Sequence, residues 1–198
     1  IGTVKTTSTN RANEFVVATN AEFAPFEYMM GESFGGIDMQ VAKVIADKLG
    51  KELVIVHMDF EAVIPAVEAG NADVGMAGLT ISDERKETVD FSDSYYKTTQ
   101  YIAVGINDNR FDECKTEEDV VNVLADLPNN TKAGAARAQT GFYYLTGDEG
   151  LEFEGFSNLS TTPYASIALA VQDLANGKVE LVCGDKDTLT AAVKAVNR

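Results

Sequence analysis

The first half of the chain alternates short apolar runs with segments of helical period. Glu14–Thr19 (EFVVAT) predicts a short strand. Ile37–Leu49 follows, with Ile37, Val41, Val44, Ile45 and Leu49 spaced along one helical face and Gly50 placed to end it. Leu53–Met58 predicts a second strand. Ile64–Ala69 predicts a short helix, with Pro65 in its first turn and Gly70 beyond its end. Asp73–Ala77 predicts a third strand. The order β-α-β-α-β is that of a parallel sheet with helices on both faces, an α/β fold.

Tyr101–Ile106 predicts a further strand, after which Asn107–Glu118 is polar and charged, as a surface loop or lobe boundary would be. Thr116 is placed to cap a helix running to about Leu127, with Glu117 and Glu118 where the helix dipole favours them. Thr131–Ala136 predicts a strand, Tyr164–Ala175 a helix closed by Asn176-Gly177, Val179–Cys183 a strand, and Lys186–Val196 a last helix. A second, smaller βα lobe thus follows the first, with residues 1–96 and 97–198 as the two parts.

Composition narrows the partners. The 198 residues carry 16 basic and 31 acidic side chains, a net charge of −15. Phosphate surfaces repel such a chain, which argues against nucleic acid and anionic membranes as partners. No apolar run approaches the length of a membrane span. The polar, Thr-rich Ile1–Asn13 predicts a loose start. Cys114 and Cys183 are far apart and lack metal-ligand spacing; Cys183 is expected as a buried thiol, a bridge between the two being the lesser reading. With His57 as the single histidine and no clustered ligands, no metal site is expected. No Gly-rich phosphate loop or nucleophile elbow is present, so no cofactor is expected. His57 itself is expected to be structural.

The candidate chemistry lies in loops after strands, where open α/β sheets bind ligands. The first loop holds Asn20, Phe23, Pro25, Phe26, Glu27 and Tyr28. Phe26 and Tyr28 are expected to fill the core and Phe23 to face a ligand. Phe60 follows the second strand and either opposes Phe23 across a slot or joins the core. Gly78-Leu79-Thr80 offers a close backbone approach, a hydroxyl and amide N–H groups. Ser82 can cap a short helix carrying Arg85. That side chain either grips a carboxylate with two parallel hydrogen bonds or pairs with Asp83, Glu87 or Asp90 on the surface. In the second lobe, Arg137, Thr140 and Gly141 stand between a strand and a helix, where an anion could sit. Asp185 after the late strand can accept an ammonium group, cap the helix that starts at Lys186, or do both.

These residues lie in motifs that resemble the polar amino-acid family of bacterial solute-binding proteins. The motifs are VATNAEFAPFEY (17–28), GGIDMQVAKVIADKLG (35–50), the stretch from MDFEAVIPAVEAG to VDFSDSYY (58–96) and VELVCGD (179–185). The resemblance implies a two-lobed, type II periplasmic-binding-protein fold, each lobe a mainly parallel sheet flanked by helices. It implies a monomeric, extracytoplasmic, non-catalytic protein that closes on a free amino acid and delivers it to a membrane ABC permease. In such a site Arg85, Thr80 and Gly78 hold the α-carboxylate, Asp185 the α-ammonium, and Phe23 and Phe60 sandwich the side chain.

Three departures qualify the match. The second-lobe loop reads Arg137-Ala138-Gln139-Thr140-Gly141 where the family has Gly-Thr-Thr or similar. Asn20 stands where Asp is frequent, which disfavours a lysine-type or arginine-type ligand. The chain stops at Arg198, where the family continues with a strand returning to the first lobe. Rival readings are a cyclohexadienyl-dehydratase-like enzyme on the same fold and the ligand-binding domain of a receptor.

Overall fold

A computed structural model describes residues 1–197. The chain divides into two compact units, Ile1–Lys97 and Thr98–Arg198.

In the first unit, β1 (Glu14–Thr19) is central. A meander of three short strands follows: β2 (Glu22–Phe23), β3 (Glu27–Met30) and β4 (Ser33–Gly35). Sequence patterning did not disclose it, because strands this short carry no readable period. Then come α1 (Ile37–Leu49), β5 (Glu52–His57), α2 (Phe60–Glu68), β6 (Val74–Gly75) and the single turn α3 (Asp83–Lys86). The main sheet has the order β5-β1-β6, all parallel. Alternate β1 side chains feed opposite cores. Phe15 and Val17 pack with Met39, Ala42 and Ala46 of α1, while Val16 and Ala18 pack with Val63 of α2. Each large apolar side chain buried this way stabilises the unit by ~1.5–3 kcal/mol.

Three expectations need correction here. The buried face of α1 is Asp38, Met39, Ala42 and Ala46. Ile37, Val41 and Val44 are 46%, 41% and 54% exposed. Apolar residues occupy more than one stripe of this helix, and its smaller side chains allow the closer approach to the sheet. Second, Phe60 rather than Ile64 opens α2, because Phe60, Val63, Ala66 and Val67 form one apolar face; Pro65 therefore sits inside the helix. Third, the N-terminal segment is tied down. Lys5 bridges to Val54 and its carbonyl accepts from the Ile55 N–H at 2.9 Å. Glu14, fully buried, accepts from Ser8 Oγ at 2.6 Å, from the backbone N–H groups of Thr9 and Asn10, and from Lys5. Those donors replace the water a buried carboxylate has lost.

The second unit contains β7 (Gln100–Val104), α4 (Glu117–Asp126), β8 (Thr131–Ala136), α5 (Thr140–Thr146), β9 (Leu159–Tyr164), α6 (Ile167–Ala175), β10 (Leu181–Asp185) and α7 (Lys186–Val196). Its sheet order is β7-β10-β8-β9, with β7 antiparallel and the rest parallel. Val182 faces the α6–α7 core and Leu181 and Cys183 face the α4–α5 core. Thr116 caps α4 through a reciprocal box with Asp119. Tyr164 was expected in a helix but ends β9, an edge strand that tolerates Pro163; Ser166 caps α6 instead. Cys114 and Cys183 are both free thiols, and burial pushes the Cys183 thiol well above its ordinary range.

Candidate functional site

The parallel strands of the first unit bring three loops to one edge of its sheet. Asn20 follows β1, Phe60 follows β5, and Gly78 to Arg85 follow β6. Asn20 is buried and its amide donates to the Met58 carbonyl at 2.9 Å, which ties the first loop to the second. His57 does similar work, its Nδ1 accepting from the Ala21 N–H at 3.0 Å.

Phe23 is only 6% exposed. Its ring lies against Phe26, with centroids 6.0 Å apart, and against Gly78. Gly78 has φ +57°, and a Cβ there would stand 2.7 Å from the Phe23 ring. Glycine is required on both counts. The backbone at Gly78 thus runs directly against the Phe23 ring.

Arg85 is set by its own turn. Ser82 caps α3, its Oγ accepting from the Arg85 N–H at 3.3 Å. The Arg85 Nη1 donates to the Thr80 carbonyl at 2.8 Å, and the guanidinium stands 5.6 Å from the centroid of the Phe60 ring. The hydrogen bond to Thr80 and the Phe60 ring face both hold the guanidinium at the carboxyl edge of the sheet. Of the expected first-unit residues, Gly78, Thr80, Arg85 and Phe60 come together there, with Phe23 beneath them.

The second unit gathers its candidates in the same way. Arg137 follows β8, Asp185 ends β10, and these strands are parallel neighbours. The Arg137 N–H donates to the Tyr164 carbonyl at 2.8 Å. Thr140 and Gly141 begin α5, and Gly141 packs so closely that a Cβ would lie 2.9 Å from the Cys183 carbonyl oxygen. Asp185 takes the cap position of α7, yet its side chain makes no capping hydrogen bond. It accepts instead from the Gln100 amide, its register partner across β10 and β7. Burial raises the Asp185 carboxyl above the ordinary range, against the lowering effect of that amide.

A family model described as bacterial extracellular solute-binding proteins, family 3, matches residues 15–196. The chain belongs to that family. A curated relative in this family-3 setting is a probable histidine-binding protein of Neisseria gonorrhoeae, 28% identical over 93% of this chain. The arginine-binding extracellular protein ArtP of Bacillus subtilis is 34% identical over 58% of it. The chain spans 63% and 44% of the lengths of those two proteins. Among solved structures, an ancestral arginine-binding protein bound to arginine is 30% identical with a TM-score of 0.77, covering 94% of this chain and 76% of that one. The architecture is the type II fold of periplasmic amino-acid-binding proteins, with α/β units flanked by helices.

Sequence reasoning about this family-3 chain missed Gln100, Asp38 and Tyr95, and it named Glu27 in the first loop without its partner Asp38. Asp38 and Glu27 are both fully buried. Tyr95 donates its hydroxyl to the two oxygens of Asp38 at 2.9 and 3.0 Å. The only available signal was two acids, Glu27 and Asp38, each beside residues with core character.

Proposed function

We propose that this chain binds a free polar amino acid without chemical turnover. Its α-carboxylate is taken by Arg85 with the Gly78–Thr80 backbone in the first unit, and its α-ammonium by Asp185 in the second. Binding both ends gives the ligand a differential affinity for one arrangement of the protein, which is what shifts a conformational population. In this reading the protein works as a monomer outside the cytoplasm and hands its ligand to a membrane ABC permease.

The observation that carries the reading is the Arg85 guanidinium, fixed by Thr80 and Phe60 at the carboxyl edge of a parallel sheet. A guanidinium is a planar fork of donors whose geometry matches a carboxylate. Family membership and the histidine-binding and arginine-binding relatives support an amino acid as the ligand class. Asn20 leaves no acidic group at the end of β1, which favours a neutral polar side chain over a cationic one. Arginine and histidine are therefore the necessary comparison ligands.

A thermal-shift screen against the twenty common amino acids tests this directly, because a ligand that binds only the folded state raises the unfolding midpoint. A concentration-dependent rise with one or a few polar amino acids is expected. No rise with any of them, or aromatic product from prephenate or arogenate, removes the reading.

A further inference from the structure

Asp38 and Glu27 form a buried pair of acids that the binding reading leaves unused. Asp38 lies in the first turn of α1 and Glu27 opens β3. No cation is among the groups acting on either one. Among the described residues, neither Glu27 carboxyl oxygen has an N–H or O–H donor. Its hydrogen-bonding neighbour is Asp38, another acceptor. Two carboxyl groups can hydrogen-bond only if one of them keeps its proton.

The surroundings decide which one does. Asp38 accepts from the Tyr95 hydroxyl, and the Gly78 backbone N–H is directed at it as well. Donors of this kind favour the ionised form, and Glu27 has none of them. The charge therefore resides on Asp38 and the proton on Glu27, whose carboxyl burial pushes up to about 11. The Asp38 carboxylate joins three elements at one point: the Gly78 loop over Phe23, the Tyr95 segment, and Glu27 on the meander.

We infer that Asp38 is a positioning residue for the amino-acid site, anchoring the Gly78–Thr80 backbone from below while a protonated Glu27 and the Tyr95 hydroxyl hold Asp38 in place. The inference rests on the proposed function for its link to ligand binding, but the anchor itself is independent of it. Gln at position 27 keeps a neutral donor towards Asp38, so Glu27→Gln preserves the arrangement. Asn at position 38 replaces one acceptor oxygen with a donor and opposes the incoming N–H and O–H groups.

The test measures hydrogen exchange at the Gly78 amide, calorimetric affinity for L-glutamine, L-histidine and L-arginine, and the infrared band of a protonated carboxylic acid. Glu27→Gln is expected to lose the infrared band, keep Gly78 protected and change affinity by less than about threefold. Asp38→Asn is expected to speed Gly78 exchange and weaken binding by about tenfold or more. Should Asp38→Asn not fold, Tyr95→Phe removes one hydroxyl from a largely exposed ring and is expected to speed Gly78 exchange and weaken binding a few-fold. Gly78 protection and affinity unchanged in Asp38→Asn, or in Tyr95→Phe where that variant stands in, overturn the inference; so does an acid band that survives in Glu27→Gln. If the wild type binds none of the three amino acids, the proposed function is in question, while exchange and infrared still decide the anchor.

Discussion

The guanidinium of Arg85 stands 5.6 Å from the centre of the Phe60 ring while its Nη1 donates to the Thr80 carbonyl. Both contacts depend on the planar, delocalised cation, which a lysine ammonium does not reproduce. Arg85→Lys should therefore behave as a loss rather than a conservative change. Arg85→Ala is expected to cost ~1.5–3 kcal/mol of amino-acid binding, the scale of a charged hydrogen bond, and Arg85→Lys much of the same. Calorimetry on variants with unaltered circular dichroism checks this. Undiminished affinity in Arg85→Ala removes the residue from the site.

Gly78 joins the backbone proposed to meet the ligand to the Phe23 ring, at a positive φ that favours glycine. Gly78→Ala places a methyl group against the Phe23 ring at a positive φ. Such backbone strain costs about 1–3 kcal/mol. The expected result is a lower thermal midpoint together with weaker binding, since the same loop serves both. Truncating the ring in Gly78→Ala/Phe23→Leu should recover part of the stability, because the clash is then gone while the strained φ remains.

How much of this was readable beforehand differs by element. Strand β1, helix α1, strand β8 and helix α7 were legible to the residue, because their apolar runs or periods are long and bounded by turn residues. The orientation of α1 was not. Ile37, Val41 and Val44 have the spacing of a core stripe, but packing distance favoured Met39, Ala42 and Ala46. The same limit applies to the site. Arg85 was visible through its capping serine, a local signal. Gln100 and Asp185 are 85 residues apart, and only the antiparallel pairing of β7 with β10 makes them partners. Asp38 and Tyr95 likewise meet through tertiary structure alone.

Glu14 should govern the acid side of the stability profile. The Ser8 hydroxyl, followed by the N–H groups of Asn10 and Thr9 and by Lys5, holds its carboxyl at about 2 against the opposing effect of burial. Its folded value is depressed, so its stabilising contribution is present above the ordinary 4.5 and is lost as pH falls towards about 2. Glu14→Gln should lower the thermal midpoint at neutral pH and flatten its decline between these two values. Identical pH profiles for variant and wild type would contradict the assignment.

Asp185 should show the opposite sign. Burial, the largest influence on it, raises its folded pKa above the ordinary 3.8. The stability linked to this group is therefore fully present below that value and declines as pH rises through the folded one. At neutral pH the ionised side chain is a cost to folding. Asp185→Asn removes the charge while the new amide oxygen can still accept from Gln100. Its unfolding midpoint should match or exceed that of the wild type at pH 7, yet amino-acid affinity should fall by about tenfold or more, the scale of a lost charged hydrogen bond. Thermal unfolding and calorimetry on one preparation separate the two effects. A less stable variant with full affinity would mean that Asp185 serves the fold and not the ligand.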